Sequence, residues 1–252
     1  MTATARRAAP VPIVALDFGT LDQAMALVDE LGDLCRFYKV GSELFTAAGP
    51  AAVAQLRGAG CEVMLDLKLH DIPNTVARAV ASARRLGVNI LTVHAVGGPA
   101  LLRVAAEVAA GRTVLDLPAE ATGGACRIFA VTVLTSLDSR SLERVWGRDA
   151  VEIEGEVLRL ATMAREAGVA GVVASGLEVE ALRAALGPDF QLLVPGVRLA
   201  GSEAADQSRV VTPAEARKLG ADYVVLGRTV TSAAGRREAM ERVLRELAKP
   251  LD

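Results

Sequence analysis

The sequence predicts an α/β fold, a single (β/α)₈ TIM barrel. Three observations carry that prediction. Short runs rich in Val, Ile and Leu alternate with longer Ala/Leu/Glu/Arg segments. The apolar runs are near-continuous rather than alternating, as in parallel strands buried on both faces. Eight strand–helix units in 252 residues match the arithmetic of a closed barrel of about 250 residues. An open doubly wound sheet is the competing arrangement. Against it, the first strand–helix turn, Asp17-Phe18-Gly19-Thr20, lacks the G-x-G-x-x-G cradle.

Strands are expected over 11–17, 36–41, 62–67, 89–94, 127–132, 171–174, 191–194 and 222–226. The first helix starts at Thr20, with Gln23 three residues on as a capping-box pair. Further helices are expected over 43–59, 73–86, 99–110, 141–146, 154–167 and 178–186. Thr212-Pro213-Ala214-Glu215 is a second capping box, with proline at the first helical position and Gly220 as the stop. The last helix is expected over 232–248. Residues 111–125 read as a surface insertion and 1–9 as a loose tail. No linker interrupts the rest, so 10–252 is expected to be one catalytic domain.

Composition narrows the function. With 52% hydrophobic and 23% charged residues, the chain has the apolar content of a large core, which disordered chains lack. A net charge of −2 gives no footprint for nucleic acid. At 3%, aromatic residues are too few for a base-stacking platform. No stretch reaches the roughly 18 apolar residues of a membrane helix. MTATARRAAPVP carries two arginines but no apolar run after them, so no secretory signal is expected and the expected location is the cytoplasm. Cys35, Cys61 and Cys126 are scattered and odd in number, against a disulfide framework or a zinc site. Each falls at the start of an expected strand, which suits a small buried hydrophobe.

In a barrel of this kind the active site lies at the carboxyl ends of the strands. Asp17 ends the first and Lys39 lies on the second. The third supplies Asp66-Leu67-Lys68-Leu69-His70-Asp71, and His94 ends the fourth. Asp66 and Lys68, two apart on a strand, share a face. Asp17 and Lys39 sit on neighbouring strands at similar height. The pattern suggests an alternating carboxylate–ammonium array. Its plainer reading is a set of ion pairs that rigidify the mouth, but so many charges at one end exceed what structure asks for. Gly196 and Gly227 open the backbone to a ligand, while Arg198 and Arg228 offer forked donors after strands seven and eight, the recurrent phosphate site of this fold. Two arginines on a solvated rim is the plainer alternative. A His94–Asp66–Asp17 metal site is conceivable, but Lys39 and Lys68 would place positive charge beside the ion. A structural role suits His70 and His94 better, and no metal is expected.

Asp66-Leu67-Lys68-Leu69-His70-Asp71-Ile72-Pro73-Asn74-Thr75 resembles the signature of the orotidine 5′-phosphate decarboxylase family. Collinear pieces support the resemblance over residues 11–245. They are Ala15-Leu16-Asp17-Phe18, Tyr38-Lys39-Val40-Gly41, Thr92-Val93-His94-Ala95 and Val133-Leu134-Thr135-Ser136, then Val194-Pro195-Gly196-Val197-Arg198, Asp206-Gln207-Ser208-Arg209 and Leu226-Gly227-Arg228. Two departures stand out. Thr229 follows Gly-Arg where the bacterial family usually has proline, and the 111–125 stretch is long.

The resemblance implies decarboxylation of orotidine 5′-monophosphate to uridine 5′-monophosphate, in pyrimidine synthesis, without metal or organic cofactor. It implies that Lys68 gives a proton to C6 and that Asp66 flanks the leaving carboxylate. Lys39 and Asp17 would contact the ribose hydroxyls. Asp71, with Ile72 and Thr75, would reach the other subunit's site in a homodimer. Thr135 or Ser136 would meet the pyrimidine. Gln207, Arg228 and the backbone near Pro195, Gly196 and Gly227 would bind phosphate, with Arg198 lining the same region.

The carbanion left by this reaction lies in the ring plane with no conjugated sink. Two like charges about 4 Å apart repel by roughly 4 kcal/mol at an effective dielectric near 20. Asp66 therefore raises the ground state by only part of the 8–23 kcal/mol or so that enzymes remove. The Lys68 ammonium must stabilise the carbanion as it forms. Three alternatives remain beside this. A magnesium-dependent hexulose-phosphate synthase-like aldolase resembles the same D-x-K-x-x-D barrel, but there Ile72-Pro73 typically gives way to glycine, with an acidic residue near Thr75. A Schiff-base aldolase needs a free amine, which carboxylates beside Lys39 and Lys68 disfavour. A non-catalytic nucleotide binder would not need Lys68 beside Asp66.

Overall fold

The computed structural model describes residues 8–112, 124–200 and 210–249. Within them the expected eight strands form: β1 (Val11–Ala15), β2 (Phe37–Gly41), β3 (Glu62–Leu69), β4 (Ile90–His94), β5 (Arg127–Val131), β6 (Gly171–Val173), β7 (Gln191–Val194) and β8 (Tyr223–Leu226). All pair in parallel and in sequence order, and β8 closes on β1. This is the predicted closed barrel rather than an open sheet. Every strand end falls within two residues of expectation.

The helices are α1 (Leu21–Leu31), α2 (Ser42–Ala48), α3 (Pro50–Gly58), α4 (Pro73–Arg85), α5 (Gly98–Ala109), α6 (Ser139–Trp146), α7 (Ile153–Glu166), α8 (Val179–Leu186), α9 (Pro213–Leu219), α10 (Arg228–Thr231) and α11 (Arg236–Ala248). Thr20 caps α1 by accepting from the Gln23 N–H. Thr212 and Glu215 complete both halves of the capping box on α9, and Gly220 ends it in the left-handed region. Asp138 caps α6 by accepting from the Ser141 N–H at 2.8 Å, so that helix begins two residues before the expected start.

Two long helices differ from expectation. The segment 43–59 is not one helix but α2 and α3, divided at Gly49, whose φ is +59°. Pro50 supplies no N–H and its ring blocks the preceding turn, so the chain restarts there with proline at the first position. The final helix begins at Arg236, and the short α10 precedes it. Most of the 111–125 insertion and of the 1–9 tail lies outside the described residues.

The apolar side chains divide into two compartments. Ile13, Phe37, Met64, Ile90, Phe129, Leu193 and Tyr223 fill the barrel interior. Outward-facing residues such as Val14, Val40, Leu65 and Leu91 pack against the helices. Cys35, Cys61 and Cys126 are free and buried, each just before a strand. Among the described residues, no helix is long and apolar enough to cross a membrane.

Candidate active site

Above the apolar interior, the carboxyl ends of the strands open into a cavity of about 300 Å³. One wall, at the carboxyl ends of β1, β2 and β3, carries Asp17, Lys39, Asp66 and Lys68. Lys39 Nζ lies 2.8 Å from Asp17 Oδ1 and 3.9 Å from Asp66 Oδ2. Lys68 Nζ lies 2.7 Å from the same Asp66 oxygen. The order Asp17, Lys39, Asp66, Lys68 is the alternating array expected from the sequence. Lys39 and Asp66 are each only 9% exposed, and buried charges need this pairing. Asp17, with 54% of its side chain exposed, forms the outer end.

Asp66 and Lys68 meet for a different reason from the one expected. On a regular strand, residues two apart point the same way. Here β3 bulges. Leu65 pairs with Leu91 and Leu69 with Val93, so the register slips between them. Lys68 has φ +50°, a left-handed conformation uncommon for a residue with a side chain. Its backbone N–H donates to Thr92 Oγ1 at 2.9 Å, and the Thr92 hydroxyl donates to Asp66 Oδ1 at 2.9 Å.

The loops after β7 and β8 form the rim. Pro195, Gly196, Arg198, Gly227 and Arg228 all line the cavity. Thr229, the departure from the proline pattern, is buried and donates its hydroxyl to the Val197 carbonyl at 2.9 Å. It thereby ties the β7 loop to the β8 turn. Thr135 lines the cavity and Ser136 is not among its lining residues. Gln207 lies outside the described residues.

Asp71, Ile72 and Thr75 are not brought into this cavity. Asp71 and Thr75 border a separate groove together with Lys68, His70 and Val76. The Asp71 carboxylate accepts from the Ile72 N–H at 2.6 Å, and Ile72 is 66% exposed. His70 and His94 stack at a tilt, 5.6 Å between ring centroids. Burial lowers the pKa of His94, and the positive charges of His70 and Lys68 add to this against Asp66. The conceivable His94–Asp66–Asp17 metal set is interrupted by Lys39, whose ammonium contacts both carboxylates. Among the described residues no three His, Cys, Asp or Glu side chains gather to hold a metal ion.

The sequence reading missed the apolar floor, made by Met64, Val131, Val173, Leu193 and Val225. Both faces of these strands are apolar, so inward and outward positions look alike until the register is known. It also gave Thr92 no part. Its part depends on how β3 registers against β4, which the sequence pattern alone does not give.

Enzymes of the (β/α)₈ class work at this end of the barrel, and core packing gives no reason to gather four charges there; fold and site define an enzyme of that class. The family model described as "Orotidine 5'-phosphate decarboxylase / HUMPS family" matches residues 10–243, and the chain belongs to that family. An orotidine 5′-phosphate decarboxylase of Moorella thermoacetica is 51% identical over 222 residues, which is 88% of this chain and 85% of that protein. One from Paramagnetospirillum magneticum is 47% identical, covering 93% of this chain and 97% of the relative. The crystal structure of orotidine 5′-phosphate decarboxylase from Lactobacillus acidophilus superposes with a TM-score of 0.81 at 35% identity, over 96% of this chain and all of that one.

Proposed function

We propose that this chain decarboxylates orotidine 5′-monophosphate to uridine 5′-monophosphate, in pyrimidine synthesis, with no metal or organic cofactor. The observation that carries the reading is the Asp66–Lys68 contact of 2.7 Å at the cavity wall. A carboxylate and an ammonium held together, beside an apolar floor, suit a reaction in which a substrate carboxylate departs as neutral carbon dioxide and the charge it leaves on the ring is quenched by a proton.

In this reading the phosphate meets Arg228, Gln207 and the backbone near Pro195, Gly196 and Gly227, with Arg198 beside them. The ribose hydroxyls meet Asp17 and Lys39, and Thr135 meets the pyrimidine. The substrate carboxylate lies against Asp66. As the C6–carboxylate bond breaks, carbon dioxide leaves and the electron pair stays on C6. Lys68 stabilises that charge and then transfers a proton to C6. Interactions that grow as the charge develops lower the barrier, whereas equal binding of substrate and transition state does not. The phosphate contacts, remote from C6, supply binding energy that orients the ring and excludes water.

Residues 10–252 act as one catalytic domain in this reading, working in the cytoplasm. Two copies form a homodimer in which Asp71, Ile72 and Thr75 complete the partner's site. The exposed Ile72 and the position of Asp71 outside its own cavity support that arrangement. The magnesium-dependent aldolase is not favoured, because Asp17 and Asp66 are already bonded to Lys39 and Lys68.

Purified protein with a chelator present should discharge the orotidylate absorbance. Decarboxylation lost to the chelator and restored by magnesium would refute the metal-free reading, and no loss of orotidylate absorbance together with magnesium-dependent aldol chemistry on a sugar phosphate would favour the aldolase. Lys68→Ala should abolish turnover while leaving nucleotide binding measurable; near-normal turnover would remove Lys68 from its role. Mixing Lys68→Ala with Asp71→Ala subunits should restore some activity through hybrid dimers with one intact site. No recovery, with mixed dimers shown to form, would refute the shared site.

A further inference from the structure

Thr92 sits in the middle of β4 with none of its surface exposed, and it is not among the residues lining the cavity. Its oxygen accepts from the Lys68 N–H, 2.9 Å away. A hydroxyl has one proton to give. That proton goes to Asp66 Oδ1, also at 2.9 Å, since an ionised carboxylate only accepts. The remaining Asp66 oxygen takes the Lys68 ammonium at 2.7 Å. Three hydrogen bonds thus close a ring through Thr92, Asp66 and Lys68.

The ring answers a problem created by the bulge in β3. Lys68 is held at φ +50°, and such a conformation persists only where the surroundings over-determine it. The slipped register between Leu65 and Leu69 turns the Lys68 N–H to a side chain in place of the ladder. One hydroxyl therefore fixes both the backbone that launches the lysine and the rotation of the carboxylate that receives it.

We propose that Thr92 is the positioning residue of the Asp66–Lys68 pair. The inference rests on reading Lys68 as the proton donor to C6 and Asp66 as the neighbour of the departing carboxylate. Thr92 acts through those two residues and touches no substrate. The ribose and phosphate contacts come from other elements. Its loss therefore falls on kcat rather than on KM.

The test uses the whole chain with orotidine 5′-monophosphate as substrate and uridine 5′-monophosphate as binding probe. Thr92→Val keeps the shape and removes the hydroxyl; Thr92→Ser keeps the hydroxyl and removes the methyl. Thr92→Val should lose on the order of 10–100-fold in kcat, the scale of a reacting group misplaced by a fraction of an ångström to 1 Å. Its KM and product affinity should stay within about threefold, since uniform binding is untouched. Thr92→Ser should recover most of the loss. A merely structural threonine would lower melting temperature and active fraction without this split. If Thr92→Val does not fold, Thr92→Ala against Thr92→Ser isolates the hydroxyl, because both lack the methyl. Lower kcat in the alanine variant supports the proposal and equal kcat overturns it. Wild-type kcat in Thr92→Val, or a rise in KM alone, also overturns it. An unaltered protein that releases no carbon dioxide fails the decarboxylase reading instead, and takes this inference with it.

Discussion

Gly41→Ala is the smallest change that tests whether the charged array must be held in place. Gly41 closes β2 beside the ion pair, with φ −92°, a backbone that alanine adopts without strain. A Cβ there would lie 2.8 Å from Lys39 Nζ and 3.2 Å from Asp17 Oδ1. Ordinary contact is near 3.5 Å, so the ammonium must retreat by about 0.7 Å. Stretching the Lys39–Asp17 pair from 2.8 Å by that amount weakens it from about 6 to about 5 kcal/mol at an effective dielectric near 20. Asp17 is more than half exposed, so water recovers much of that difference. The stability cost is under about 1 kcal/mol, which lowers the melting temperature by no more than about 4 °C in a chain of this length. Activity has no such cushion. Displacing Lys39 moves the group that joins Asp17 to Asp66, and misplacement on this scale costs about 10–100-fold in kcat/KM. Circular dichroism melting and the decrease in orotidylate absorbance measure the two quantities on one preparation. Wild-type kcat/KM in the variant would refute a preorganised array. A melting loss well beyond the stated range would show that the added methyl strains the backbone rather than the ion pair.

Thr229→Val removes the hydroxyl that bonds the Val197 carbonyl. It should cost about 1 kcal/mol, read as a fall of roughly 2–4 °C in melting temperature, and raise KM more than it lowers kcat; an unchanged melting curve refutes the tie between the two loops. His94 should titrate below its ordinary value of 6.5, because burial and the neighbouring positive charges of His70 and Lys68 disfavour its protonated form. The unfolded chain protonates this group first, so its contribution to stability is complete above about 6.5 and is lost as pH falls from there through the folded value. With two histidines in the chain, imidazole NMR resolves the midpoint, and a value above 6.5 contradicts the argument. Burial pushes the Cys35 thiol up to about 11 and that of Cys126 up to about 12. The native protein should therefore react slowly with a disulfide reagent at pH 8 and give three equivalents once unfolded; rapid reaction of the native form would show that these thiols are reached by solvent.

Strand order and the charged wall were legible in the sequence because each depends on local composition. Buried parallel strands announce themselves as apolar runs, and charges stand out against them. The helix break at Gly49-Pro50 was equally visible, yet the Ala/Leu pattern continues across it and masks the stop. The conformation of Lys68 was not legible. It depends on how β3 registers against β4, and no residue of β3 alone encodes the slip. Thr92 was hidden for the same reason, since its part exists only when Asp66 and Lys68 face it across that slip. Asp71, Ile72 and Thr75 follow from the family resemblance, and their place outside the cavity of their own chain leaves the partner's contribution to the mixing experiment.

The distribution of charge around the cavity bears on why, in the proposed reading, an acid stands at the reacting end. Arg198 and Arg228 line the rim on the β7 and β8 side, where the proposed reading puts the phosphate. A site meant only to grip a second anion would repeat that solution and put an arginine at the other end, since a forked donor matches a carboxylate in charge and geometry. Instead that end presents Asp66, buried and bonded through both oxygens, with Lys68 beside it. Such an arrangement opposes binding of a carboxylate and favours its departure, while the ammonium gains most when negative charge has moved onto the ring. The fixed partners of Asp66 matter here as much as its charge. A carboxylate free to rotate would relax away from the incoming group, and one tied to Lys68 and Thr92 does not.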